Sequence, residues 1–148
     1  MIKATSVIHS NEAPADTVTL SYDDRHKRRI VMNGDNGLIF LLDLPKATEL
    51  QHGSDLLLDD GRHVKVIAAK ERLMKVTTKN TQHLLTTAWH LGNRHLTCEV
   101  KENCLMIRYD HVISDMLQKL GANVQNVDAP FNPEGGAYGV GRTHSHEH

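Results

Sequence analysis

Leu73-Met74-Lys75-Val76-Thr77-Thr78 reads as a strand, and the helical stretch after it closes on Trp89-His90-Leu91-Gly92-Asn93-Arg94-His95; the order of these two decides the fold of the second half. Asn80 or Thr81 can cap the helix, Leu84, Leu85, Ala88 and Leu91 recur at helical spacing, and Gly92 supplies the stop. Working outward, Arg94 to Val100 and Cys104 to Tyr109 alternate as two strands around Lys101-Glu102-Asn103. Asp110 then caps a second helix in which Val112, Ile113, Met116, Leu117 and Leu120 form an apolar stripe that Gly121 ends. Asn123 to Val127 makes a last strand. The order β-α-β-β-α-β over residues 73–131 predicts a ferredoxin-like domain, with two helices on one face of an antiparallel sheet. Beyond it, glycine and polar residues dominate 132–148, a composition expected of a flexible tail.

Residues 1–72 carry a different pattern. Short runs rich in Val, Ile, Leu and Thr alternate with turn signals, and no stretch sustains a helical period. Arg29-Ile30-Val31-Met32 leads into Asn33-Gly34-Asp35-Asn36-Gly37, a hairpin turn. Leu38-Ile39-Phe40-Leu41-Leu42 follows as a buried strand that Pro45 is expected to end. Leu56-Leu57-Leu58 and His63-Val64-Lys65-Val66-Ile67-Ala68 flank a second hairpin at Asp59-Asp60-Gly61-Arg62. The sum is an α+β chain: an all-β first domain, a small sandwich or barrel, then the ferredoxin-like domain.

Charge narrows the function. Seventeen Lys and Arg nearly balance 18 Asp and Glu, so no overall field favours nucleic acid or an anionic membrane. No apolar run is long enough for a bilayer, and Met1-Ile2-Lys3-Ala4-Thr5-Ser6 is not followed by the apolar core of a signal peptide, which predicts a cytoplasmic protein. Cys98 and Cys104 lack the spacing of a zinc ribbon or redox motif and read as small apolar residues. Asp23-Asp24-Arg25-His26-Lys27-Arg28-Arg29 is either a solvated strand edge or a patch that docks a partner. No phosphate loop, nucleophile elbow, HExxH or carboxylate pair is present, so catalysis is not expected.

What remains is histidine, with 11 residues. On an ideal strand His95 would point outward with Thr97 and Glu99 while Leu96 and Cys98 face the core. One exposed imidazole is a poor metal site, and by spacing alone it reads as a surface residue. A two-fold axis near it would bring the same residue from a second chain and double the ligand count. His111 lies at the start of the second helix. His83 and His90 share a helix face two turns apart, too far for one ion, and read with His9, His26, His52 and His63 as structural or solvent-exposed. His144, His146 and His148 alternate with small or acidic residues, a pattern that captures Ni(II), Cu(II) or Zn(II).

Several segments together resemble a known family. They are Ala88-Trp89-His90-Leu91-Gly92-Asn93-Arg94-His95-Leu96, Tyr109-Asp110-His111-Val112, Ala129-Pro130-Phe131 with Pro133-Glu134-Gly135-Gly136-Ala137-Tyr138, and in the β half Leu41-Leu42-Asp43-Leu44-Pro45-Lys46-Ala47. This set is similar to the urease accessory protein E nickel metallochaperones over nearly the whole chain. The resemblance implies that residues 1–72 form a β domain for protein contacts and that the ferredoxin-like domain makes a homodimer binding nickel between subunits through His95, with His144, His146 and His148 assisting. It also implies delivery to urease through the accessory GTPase and the maturation complex. In some members a His-x-His pair adds a peripheral site at the second helix; here Tyr109 replaces the first histidine and only His111 carries over. A Zn(II) or Cu(II) buffer using the same histidines, and a metal-independent adaptor using the basic cluster, are the alternatives.

Overall fold

The computed structural model describes residues 1–135. It divides into two compact units, Met1–Ala69 and a second that opens at Lys70. The chain is α+β, with a six-stranded and a four-stranded sheet and two α-helices among the described residues.

The first unit holds β1 (Lys3–Ile8), β2 (Asp16–Leu20), a 3-10 turn at Asp23–Arg25, β3 (His26–Asn33), β4 (Ile39–Glu49), β5 (Asp55–Leu58) and β6 (His63–Ala68). Its sheet order is β2-β6-β5-β1-β4-β3. The pairs β1–β4 and β2–β6 run parallel, and the hairpins β3–β4 and β5–β6 are antiparallel, as the two turn signals require. Alternation selects the core: Phe40, Leu42 and Leu44 on β4 face Leu56, Leu58, Val64 and Val66, all buried in one cluster. Each such side chain stabilises the unit by roughly 1.5–3 kcal/mol. Asp16 pins the turn after β3. Its carboxylate accepts hydrogen bonds from the backbone of Thr17, Asn36 and Leu38 and from the Asn36 amide, at 2.7–3.2 Å. Burial alone would push this carboxyl up, but the hydrogen bonds outweigh it and hold Asp16 below its ordinary value. Asp35 in the same turn accepts the hydroxyls of Thr17 and Thr19, both at 2.7 Å, linking the turn to β2.

One expectation for this unit fails. Pro45 does not end β4, which continues to Glu49. Arg29 pairs with Asp43 but Lys27 with Thr48, so residues 44–47 bulge opposite Arg28, and a bulge is where a strand tolerates a residue without an N–H. Of the two readings of the charge cluster, its place on β3 at the edge of the sheet, with Arg28 and Arg29 exposed, fits the solvated edge. Arg25 is buried, donates to the Leu20 carbonyl at 3.1 Å and lies over the Tyr22 ring. Lys27 and Arg29 sit 3.9 Å from Asp24 and 3.7 Å from Asp43.

The second unit runs β7 (Lys70–Thr77), α1 (Thr81–Asn93), β8 (Glu99–Val100), β9 (Leu105–Arg108), α2 (His111–Lys119) and β10 (Asn123–Pro130). Its sheet order is β10-β7-β9-β8, all antiparallel, which is the ferredoxin-like arrangement read from the sequence. Both caps form as expected. The Asn80 side chain accepts from the His83 N–H at 2.8 Å, and Asp110 accepts from Val112 and Ile113 at 2.9 and 3.1 Å. Met74, Val76, Leu84, Leu91, Leu105, Ile107 and Leu117 form the core. Leu85 and Val112 were expected on the apolar faces of the two helices but stand 65 % and 61 % exposed.

The strand expected from Arg94 to Val100 shrinks to Glu99–Val100, and residues 94–98 are turn and coil. Nor is the chain after β10 loose at its start. Phe131 is fully buried, the Asn132 N–H donates to the Glu99 carboxylate at 2.9 Å, and the Glu134 N–H donates to the Cys98 carbonyl at 2.9 Å. Residues 132–135 are thus fastened alongside the segment that follows His95.

Candidate metal-binding site

The ends of α1 and α2 close in the same way, and that closure holds His95. At the end of α2, Gly121 takes the left-handed conformation (φ 86°); its N–H reaches the Gln118 carbonyl and the Ala122 N–H reaches the Leu117 carbonyl, both at 3.0 Å. This six-residue closure uses glycine because a Cβ is disfavoured there. The end of α1 repeats the pattern. The His95 N–H donates to Gly92 at 3.0 Å and the Leu96 N–H to Leu91 at 3.1 Å, while Leu96 packs against the core containing Leu91. The residue in the glycine position is His95, with φ 57°, the only non-glycine at positive φ among the described residues. Gly92, expected to stop the helix, lies inside it, and a Cβ there would meet nothing within 4 Å.

His95 is exposed and borders a groove of about 250 Å³ with Ala88, Gly92, Cys98, Val100 and Glu134. The expectation that His95 and Cys98 point to opposite faces assumed a strand; the turn puts both on one groove. Burial first, then the Glu134 and Glu99 carboxylates, pushes the Cys98 thiol up to about 11, so at neutral pH it is a protonated thiol and a poor nucleophile. Glu134 was not singled out from the sequence as a site residue. The signal available was its place in the Pro133-Glu134-Gly135-Gly136 stretch.

The other histidines separate cleanly. His111 is the exposed first residue of α2, and Tyr109 beside it lies under the Arg72 guanidinium at 3.6 Å. His83 donates from Nε2 to the Leu120 carbonyl at 2.8 Å, so it ties the start of α1 to the end of α2 and is structural. His90 meets the Trp89 ring edge-on at 5.2 Å. His52 accepts the Ala68 N–H at Nδ1, 3.0 Å away. His144, His146 and His148 lie outside the described residues. Among those described, no three His, Cys, Asp or Glu side chains are grouped to hold an ion. No helix of these residues is long and apolar enough to cross a membrane.

Known proteins place the chain. Residues 1–69 match the model for the N-terminal domain of the UreE urease accessory protein, and residues 71–148 match that for its C-terminal domain. A protein of Chelativorans sp. named urease accessory protein UreE is 52% identical over 147 residues, 99% of this chain and 91% of the relative. Proteins of the same name from Ruegeria pomeroyi and Rhodopseudomonas palustris are 51% and 52% identical, over 95% and 93% of this chain and 91% and 66% of theirs. The chain therefore belongs to the UreE family of urease accessory proteins.

Proposed function

We propose that this chain is a non-catalytic nickel metallochaperone of the cytoplasm, a homodimer that carries Ni(II) for assembly of the urease active site and hands it on through the accessory GTPase and the maturation complex. The urease role follows from the names of the relatives, and the nickel cargo from the family resemblance. The observation that carries the site assignment is His95 in the left-handed position. An L residue there costs about 1–2 kcal/mol relative to ordinary helical backbone, and glycine, used at the end of α2, would relieve it. A strained, exposed residue with a side chain of a metal-ligating type supports a functional reading of the position.

One imidazole is one ligand. The same residue from a second copy supplies another, and the apolar side chains left uncovered on α1, Leu85 at 65 % and Trp89 at 64 % exposed, give that copy a surface to meet. The tail supplies the rest. His144 lies nine residues beyond Gly135, which borders the His95 groove, so a span of up to about 30 Å is open to it. His146 and His148 follow as further capture ligands, and His111 as an outlying one. Imidazole suits Zn(II) and Cu(II) as well as Ni(II), so both bind these positions in vitro. Of the basic cluster behind the adaptor reading, Arg25 is buried while Arg28 and Arg29 are exposed.

Calorimetric nickel titration of the full chain and of His95→Ala tests this. Wild type should bind one tight ion per two chains, and the variant should lose that ion while its circular dichroism is unchanged. Equal stoichiometry and affinity in the two proteins would overturn the assignment.

A further inference from the structure

In the first unit, a histidine lies in the arrangement that metal sites use. Asp55 and His63 sit on the outward face of the β5–β6 hairpin, where pairing of Leu57 with His63 and Asp55 with Lys65 makes them diagonal neighbours. The His63 Nδ1 is 2.7 Å from Asp55 Oδ1. Asp55 is fully buried, and its other oxygen accepts from Lys65 Nζ at 3.0 Å and from the Ser10 N–H at 3.1 Å. Burial pushes the Asp55 carboxyl up, but the hydrogen bonds from His63, Lys65 and Ser10 together hold it below its ordinary value, so it is ionised at neutral pH. An ionised carboxylate only accepts, which puts the proton of the neutral ring on Nδ1 and leaves a lone pair on Nε2.

That lone pair has no partner among the described residues. The His63 side chain is 9 % exposed, and its Nε2 is buried without a hydrogen bond. A buried polar atom of this kind calls for an explanation, and a water or an ion is one. His63 also lines a cavity of about 330 Å³, together with Glu12, Ala13, Pro14, Ala15, Gly61 and Arg62. Glu12, at an exposed position, lines the same cavity. Arg62 does not oppose a cation there, because Asp60 takes up its charge at 2.7 Å.

We propose that His63 Nε2 and the Glu12 carboxylate form a second binding site, for one divalent transition-metal ion, with Asp55 behind His63 as the positioning carboxylate and water completing the coordination. A ligating imidazole whose other N–H is held by a carboxylate is fixed in tautomer and made more basic, which strengthens its bond to the metal. An imidazole with a carboxylate suits Cu(II), Ni(II) or Zn(II) rather than Ca(II) or Mg(II). The site is distinct from His95 and does not rest on the nickel reading.

The test uses the full chain carrying His95→Ala, with Cu(II) as the probe because its affinity for nitrogen ligands is highest in the divalent series. Paramagnetic broadening of the backbone amide signals of Ala13, Ala15 and Gly61 is expected with about one equivalent at this site, separate from any broadening near His111 or at the tail. His63→Gln, which keeps an N–H for Asp55, should abolish it. Glu12→Gln, at an exposed position that leaves folding unaffected, should weaken it by at least roughly tenfold, the lower end of what even an outer partner is worth. Sharp Ala13, Ala15 and Gly61 signals at saturating Cu(II), or broadening that persists in both variants, would show that Nε2 is merely hydrated and overturn the proposal.

Discussion

Replacing His95 with glycine should make the protein more stable and its metal site useless. The magnitude follows from the end of α1. Relieving a left-handed L residue returns roughly 1–2 kcal/mol, and the added freedom of glycine in the unfolded chain removes about 0.4–1 of it, leaving a gain of about 1 kcal/mol. The side chain is exposed, so its loss leaves no cavity in the core. In a domain of this size, 1 kcal/mol raises Tm by roughly 4–8 °C. Thermal unfolding of metal-free protein measures it, with nickel titration of the same sample measuring the lost ion. His95→Ala, which keeps a Cβ in the left-handed region, should lose the ion without the gain. A glycine variant that melts at or below wild type would refute the argument that His95 occupies a position which folding alone would give to glycine.

Two further substitutions test the structural roles assigned above. His83→Ala removes the donor to the Leu120 carbonyl and should destabilise the second unit by about 1 kcal/mol in urea unfolding, whereas no change would mean water replaces the bond at no cost. Asp16 has a folded-state value below its unfolded one, so its contribution is present above about pH 4 and is lost as pH falls through the folded value. Asp16→Asn should therefore flatten that acid limb of the stability profile, and an unchanged slope would remove Asp16 as its source.

The architecture was legible where local chemistry is unambiguous. Asn80, Asp110 and Gly121 each carry one physical meaning at a helix end, and each does what its residue type dictates. Gly92 misled because a glycine near a helix end marks the stop only when it takes positive φ, and here the chain placed that conformation on His95. Periodicity found α1 but not which apolar residues it buries. Leu84 and Leu91 enter the core while Leu85 stays out, and a hydrophobic stripe looks the same whether it faces the protein's own interior or another molecule. Pro45 failed as a terminator because the bulge that admits it depends on register with β3, a partner distant in sequence. His95 was proposed as a ligand from family resemblance, and spacing alone read it as a surface residue. The Asp55–His63 pair was within reach: the Gly61 hairpin fixes the register, and the register makes the two diagonal.

The closure at the end of α1 also bears on how an ion could be passed along. The hydrogen bonds from the His95 and Leu96 N–H groups fix the backbone on both sides of the imidazole. Immobilising one residue's backbone costs roughly 1–2 kcal/mol of conformational entropy, and at His95 folding has already met that cost. Capture therefore orders little beyond the two side-chain torsions. On the proposed carrier role, release would gain correspondingly little, so exchange between donor and acceptor proteins would turn on which ligands replace the imidazole rather than on any loosening of the chain.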